Sequence, residues 1–407
     1  MTPSAPATTA PRHALRAPVE RAAYPSEKIA QFLERLDRGE HSVPTPFVVI
    51  DVDLVEERYH QLVGAVPAAT VYYAVKANPA TPLLERLHAL GSAFDVASPA
   101  EIDRCLAVGV DPARISYGNT IKKRRDIAYA ASCGVLRYTV DAMEELEKVV
   151  DLVPQGSVCV RLRHDCGGAD WPLSRKFGCE APDVERLLVA AAEAGLGSGV
   201  SFHVGSQQRD LGSWDDTLEV VARSVARARE RGASPSFLNL GGGYPGTYRE
   251  SAPTMAEYGA AVNGALARWF PAGDGVIDEI MVEPGRYLAA DAGVLRSEVV
   301  LVSRRSPEDT QRWVYIDCGK FHGLAETMDE AIRYRVRTSA DGGPTGPVAL
   351  AGPTCDSADV LYEKTAYELP LALAEGDTVD ILSAGAYTTT YSSVGFNGFP
   401  PLEEHFV

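Results

Sequence analysis

No run of about 18 consecutive apolar residues occurs in this chain of 407 residues, so no membrane-spanning helix is expected. The N-terminus lacks the apolar core of a signal peptide, and a cytoplasmic setting is expected. Positive charge is scarce: 39 Lys and Arg stand against 55 Asp and Glu, a net charge of −16. Nucleic acids and anionic membranes are bound through clustered positive charge, so neither is expected as a partner. The seven cysteines are scattered, odd in number and without C-x-x-C pairs. They suit reduced thiols, with no disulfide framework and no metal site. Apolar residues at 45% and charged residues at 23% are ordinary for a globular protein. The length suits two domains.

Residues 1–24 are rich in Ala, Pro, Thr and Arg without periodicity, and are expected to form a disordered tail. Ser26 is placed to cap a helix over Glu27–Arg38. The segment 25–45 is expected to pack with the C-terminal part of the chain. From Pro44 short apolar runs alternate with helical stretches: Phe47–Ile50, Val71–Val75, Ala93–Val96, Ile115–Tyr117, Tyr138–Val140, Val158–Leu162, Gly199–His203, Phe237–Leu240 and Ile280–Val282. Near-continuous apolar strands between helices indicate a parallel sheet covered on both faces. About eight such units over residues 46–285 predict an α/β fold, a (β/α)8 TIM-like barrel. After Arg286 strand candidates follow one another without long helices, which predicts a mostly antiparallel β domain over 286–407.

Such barrels carry their sites at the C-terminal strand ends. Here those ends hold Lys76, Asp95, Arg161, His203, the glycines Gly241, Gly242 and Gly243, and Glu283. Packing alone does not explain so many polar residues there. In the stretch Val71-Tyr72-Tyr73-Ala74-Val75-Lys76-Ala77-Asn78-Pro79 five strand-forming residues run straight into Lys76. A lysine at a buried strand end needs a partner for its charge or a way to lose it, and a Schiff base is one such way. Consecutive glycines let backbone N–H groups converge on an anion such as phosphate. His203 is either a hydrogen-bonded core residue or a ring that stacks on a planar cofactor, with Ser206 on its phosphate. Glu283 is either a salt-bridge partner of Arg286 or a carboxylate that keeps a pyridine nitrogen protonated. Cys355 is either a buried thiol or a proton donor beside Asp356. Glu326, Asp329 and Glu330 share helical spacing. They form either a solvated acidic face or a pocket for a distal amine.

In this order and spacing, Tyr73-Ala74-Val75-Lys76-Ala77-Asn78, Phe94-Asp95-Val96-Ala97-Ser98, Lys176-Phe177-Gly178, His203-Val204-Gly205-Ser206, Gly241-Gly242-Gly243-Tyr244-Pro245-Gly246, Glu283-Pro284-Gly285-Arg286, Gly352-Pro353-Thr354-Cys355-Asp356 and Gly385-Ala386-Tyr387 resemble the fold-type III decarboxylases of basic amino acids, which use pyridoxal phosphate (PLP). The resemblance spans Pro44 to Phe399. It implies an alanine racemase-like fold with Lys76 as the Schiff-base lysine and Asp95, Glu101 and Arg161 beside it. It further implies His203 on the ring, Glu283 at the pyridine nitrogen, and Ser206, Gly241, Gly242, Gly243, Arg286 and Tyr387 around the phosphate. Cys355 becomes the proton donor to Cα, and it reaches the partner's site in a head-to-tail homodimer. Racemases of this fold place arginine at the pyridine nitrogen, so Glu283 implies decarboxylation. For substrate binding the resemblance implies Asp356, Glu330, Asp329 and Phe396. The segment Ile316–Glu330 resembles the bacterial ornithine/lysine branch, where the acid for the distal amine falls on Glu330. L-Ornithine to putrescine and L-lysine to cadaverine, the polyamine-type diamines, are the reactions implied. The alternatives are diaminopimelate, a modified diamino acid of a specialised pathway, or an inactive regulatory homologue.

Overall fold

The computed structural model describes residues 22–271, 273 and 275–407. Most of the tail expected to be disordered, residues 1–21, lies outside them. In chain order the strands are β1 (Phe47–Ile50), β2 (Ala69–Ala74), β3 (Ala93–Val96), β4 (Ile115–Tyr117), β5 (Arg137–Val140) and β6 (Ser157–Arg161). There follow β7 (Ala169–Trp171), β8 (Gly197–Ser201), β9 (Ser206–Gln208), β10 (Phe237–Asn239), β11 (Glu279–Val282) and β12 (Gly293–Ser303). The last are β13 (Arg312–Ile316), β14 (Val336–Thr338), β15 (Thr345–Ala351), β16 (Val360–Pro370), β17 (Thr378–Leu382) and β18 (Glu403–Phe406).

Eight parallel strands close the barrel in the order β10-β11-β2-β3-β4-β5-β6-β8. The two ends of the run meet where Phe237, Leu238 and Asn239 pair with Gly199, Val200 and Ser201. The N-terminal end of the barrel is sealed by packing. Tyr72, Ala93, Cys159, Phe237 and Met281 form a small buried cluster inside it. Across this plug Arg137 Nη2 meets Glu279 Oε2 at 2.8 Å, and its guanidinium lies 4.5 Å from the Phe237 ring centroid. The opposite end carries the polar strand ends, as expected for a barrel whose chemistry lies at its C-terminal face.

The second domain is an eight-stranded, mostly antiparallel sheet built on β14-β17-β12-β13-β15-β16. One expectation changes here. Phe47–Ile50 does not open the barrel; β1 pairs antiparallel with β12 and parallel with β18. The reason is that a four-residue apolar run buried on both faces reads alike in either sheet. Phe47 and Val49 face the first helix (Glu27–Asp37) through Ile29 and Leu33. Val48 and Ile50 face the main core. Ser26 caps that helix by accepting from Ile29 N at 3.3 Å.

Beneath this helix Arg296 of β12 is buried with Asp380 of β17. Nε and Nη2 donate to the two carboxylate oxygens at 2.7 and 2.9 Å. Asp37 from the helix takes Nη1 at 2.6 Å, and Tyr24 OH donates to Asp380 at 2.5 Å. Removing one member of a buried pair strands the other charge. Arg296→Ala is therefore expected to cost about 3–5 kcal/mol in urea denaturation, and a loss below about 1 kcal/mol would contradict this.

Candidate active site

β2 ends at Ala74, and Lys76 sits in the 3-10 turn Val75–Ala77 that follows. That turn is pinned from several sides. Ala74 N donates to Pro284 O at 3.1 Å, and Tyr387 N donates to Ala77 O at 2.8 Å. Tyr73 OH donates to Asn78 O at 2.9 Å. Asn78 Nδ2 donates to Gly385 O at 3.0 Å and to Glu404 at 2.8 Å. The Lys76 Nζ lies 3.8 Å from Asp95 Oδ2, with half of the Lys76 side chain accessible through the barrel mouth. Burial pulls the Lys76 pKa down. The charges of Asp95, Tyr387 and Glu283 outweigh it, and the net shift is upward.

Asp95 is pushed well above the usual carboxylate range, first by burial and then by Glu283, with Lys76 opposing. Its Oδ1 is buried and accepts no hydrogen bond. Gly118 makes room for it: a Cβ there would stand 1.9 Å from Asp95 Oδ1. Behind it Glu101 takes Ala97 N at 2.6 Å, and burial raises its pKa. Arg161, at the end of β6, has its pKa lowered by burial, against the pull of Glu283. His203 is held neutral, its pKa driven well down by burial and then by Arg161 and Lys76. Its Nδ1 accepts from Gly205 N at 3.0 Å, which leaves the proton on Nε2.

Glu283 accepts from Asn239 Nδ2, and Asn239 Oδ1 accepts from Gly241 N at 2.9 Å. One side chain thus ties the glycine loop to the acid at the next strand end. Gly241 has φ +67 and Gly243 φ +106, values that favour glycine. A Cβ on Gly242 would stand 2.7 Å from Glu283 O and 3.1 Å from His203 Nε2. Gln207 braces the loop's far end, donating to Gly246 O and accepting from Gly246 N, both at 2.9 Å.

Arg286 follows β11 in a short helix and is buried. Its Nε and Nη2 both donate to Ser206 Oγ at 3.1 Å. Its Nη1 donates to Tyr248 OH at 2.9 Å, and Glu326 takes Nη1 and Nη2 at 2.7 and 2.5 Å. The Arg286 Cζ lies 4.9 Å from the Tyr387 ring centroid.

Lys76, Asp95, Arg161, His203, Glu283 and Tyr391 line one cavity of about 410 Å³, with the segment Pro172–Phe177 forming an outer wall. The residues present fit PLP. Lys76 offers an amine, Asp95 and Glu283 carboxylates, His203 a neutral imidazole, and Gly241, Gly242 and Gly243 a loop free of Cβ atoms, which are the kinds of group that can hold an aldehyde, a pyridine ring and a phosphate. The structure does not bring every expected residue to this cavity. Cys355, Asp356, Asp329, Glu330 and Phe396 are not among its lining residues. Cys355 and Asp356 are exposed on the second domain. There Asn397 Nδ2 donates to Cys355 Sγ at 3.5 Å, and the Phe396 ring packs at a tilt against Phe321, centroids 4.9 Å apart. Glu330 is turned away to β16, accepting from the backbone N–H groups of Glu363, Lys364 and Thr365 at 2.9, 2.8 and 2.6 Å. The helical spacing does not make one acidic face, because Met328 and Asp329 break the helix and Asp329 is left-handed at φ 52. Asp329 is exposed.

Residues 52–290 match the family described as "Pyridoxal-dependent decarboxylase, pyridoxal binding domain". The lysine/ornithine decarboxylase of Selenomonas ruminantium is 35% identical over 360 residues, 88% of each chain. The ornithine decarboxylase of Saccharomyces cerevisiae is 33% identical over 90% of this chain and 81% of its own. The solved lysine/ornithine decarboxylase of Vibrio vulnificus, complexed with cadaverine, superposes with a TM-score of 0.82 at 29% identity, covering 94% of this chain and 99% of that one. The chain belongs to the PLP-dependent decarboxylases of basic amino acids, and it is a carboxy-lyase with the barrel and sheet of the alanine racemase-like fold. Among the described residues no helix is long and apolar enough to cross a membrane.

Sequence reading missed Gly118, Asn239, Gln207 and Tyr248 as parts of the site. Only Gln207 and Gly118 carried any signal, as a neighbour of Ser206 and as a glycine one residue past a strand. Gly118→Ala is expected to displace Asp95 and reduce cofactor uptake, read as loss of PLP absorbance in the purified protein. Glu330 has its pKa lowered to about 2: three backbone N–H groups and Thr365 outweigh burial, which acts first and upward. A depressed carboxylate stabilises the fold above its unfolded pKa and loses that contribution as pH falls to its folded one. Wild type is therefore expected to exceed Glu330→Gln in stability above pH of about 4.5, with the gap closing toward pH 2, as measured by chemical denaturation across that range.

Proposed function

We propose that this protein decarboxylates a basic L-amino acid, L-ornithine to putrescine or L-lysine to cadaverine, in the cytoplasm. The observation that carries the reading is the Lys76 ammonium beside Asp95 in a barrel mouth that also holds Glu283 and His203. PLP, when bound, supplies the sink for the electrons of the Cα–carboxylate bond. Lys76 Nζ is the group that would hold the cofactor covalently and give way to the substrate amine. Glu283, oriented by Asn239, would hold a proton at the pyridine nitrogen. The neutral His203 ring would lie against the cofactor face without adding charge. Asp95 and Arg161 complete the polar wall around Lys76. Ser206, Gly241, Gly242, Gly243, Arg286 and Tyr387 surround the phosphate.

The proton that replaces carbon dioxide at Cα comes from Cys355 of the partner subunit, in a head-to-tail homodimer. Two observations support this: Cys355 is exposed and outside its own chain's cavity, and the chain aligns with decarboxylases over most of its length. Asp356 of the partner subunit and Asp329 are the acids left to meet the substrate's distal amine. A second reading, a substrate with a distal carboxylate such as meso-diaminopimelate, is favoured by one observation. Arg175 and Lys176 stand on the cavity wall, while Glu326 and Glu330 are engaged elsewhere.

Carbon dioxide release from L-ornithine, L-lysine and meso-diaminopimelate separates the two readings, and turnover of diaminopimelate alone overturns the first. Lys76→Ala is expected to abolish turnover on every substrate. Mixing Lys76→Ala chains with Cys355→Ala chains under subunit exchange is expected to restore about a quarter of the wild-type sites, since half of the dimers are mixed and each carries one intact site. No recovery on mixing would place each site within one chain.

A further inference from the structure

The carboxylate of Glu326 lies in the segment that sequence spacing assigns to the far end of the substrate. Instead it is buried against Arg286, each side chain under 5% exposed, at 3% for Arg286 and 4% for Glu326. A bidentate pair of this kind fixes the plane of a guanidinium as well as its position. Every N–H of Arg286 has an acceptor. Nη1 serves Tyr248 and Glu326, Nη2 serves Glu326 and Ser206, and Nε serves Ser206. Glu326 and Tyr248 together grip the Nη1/Nη2 end. What remains is the Nε/Nη2 edge, and both of its donors converge on one oxygen, Ser206 Oγ. That oxygen accepts two hydrogen bonds and keeps its own O–H to give.

We infer that Glu326 is a positioning residue for the cofactor's phosphate. It clamps the far end of Arg286 so that the Nε/Nη2 edge holds Ser206 Oγ in place, with the Ser206 O–H left to donate to a phosphate oxygen. The inference rests on the reading above that the phosphate end of PLP lies at Ser206 and the glycine loop. It removes Glu326 from the candidates for the substrate's distal amine. It also joins the second domain to cofactor binding, since Glu326 stands after β13 while Ser206, Tyr248 and Arg286 precede β12.

Charge alone would act in the opposite direction. A carboxylate near a phosphate repels it, so if Glu326 served only as a counter-charge, its neutralisation would tighten phosphate binding. A clamp requires the reverse. Glu326→Gln keeps one acceptor but turns an NH2 toward the guanidinium, and the bidentate grip is lost.

The test uses the full-length chain stripped of cofactor and titrated with PLP and with pyridoxal, which lacks only the phosphate, followed by absorbance and fluorescence. Wild type is expected to prefer PLP. Glu326→Gln is expected to lose about tenfold of that preference, the scale of a charge-assisted hydrogen bond. Its pyridoxal affinity is expected to stay within about twofold, since pyridoxal makes no use of that bond. Glu326→Asp, which keeps the charge one methylene short, is expected to lose part of the preference. An unchanged or increased preference in Glu326→Gln overturns the inference. Should that variant fail to fold, an unchanged preference in Glu326→Asp does the same. A wild type with no preference for PLP overturns the placement of the phosphate and the inference with it.

Discussion

Two cations and two carboxylates share the mouth of this barrel, and none could be buried there alone. Lys76 and Arg161 face Asp95 and Glu283, and the pKa values of Lys76, Asp95 and Arg161 all record the charge of Glu283. His203 adds no charge because it is kept neutral. Much of the surrounding structure serves to keep this group together. Gly118 yields space to Asp95, Asn239 orients Glu283, and the turn bearing Lys76 is pinned by the backbone of Gly385 and Tyr387. The last contact means that the position of the lysine depends on the second domain as well as on its own strand.

The barrel was legible because parallel strands must be apolar on both faces, which makes polar residues at their ends conspicuous. Lys76, Asp95, Arg161, His203 and Glu283 were all found that way, and all line one cavity. β1 was misplaced because its four apolar residues carry no mark of which sheet they enter. The shared helical face expected for the acids of residues 326–330 fails for a different reason. Helical spacing assumes a continuous helix, and the left-handed backbone at Asp329 sends Glu326 toward Arg286 and Glu330 toward β16. No local pattern announces such a break. Asn239 and Tyr248 were illegible because their value lies in partners 44 and 38 residues away in sequence.

Asparagine, glutamine and serine carry much of the positioning in this site. Asn78, Asn239 and Gln207 each bridge a backbone group to another part of the site. Such amides can donate and accept at once. They therefore fix two chain segments relative to each other without bringing further charge into a mouth that already holds four titratable groups.

The placement of β1 has a consequence for how the chain is assembled. The barrel is one uninterrupted stretch, but the sheet beside it is threaded from both termini. Its strand β1 lies between β12 and β18, so residues of the fifth decade must find Glu403–Phe406. During synthesis the barrel can close while that early strand still has no neighbour. The early strand β1 waits through the synthesis of the barrel for β12 and then for β18, and the sheet is completed only once β18 has emerged.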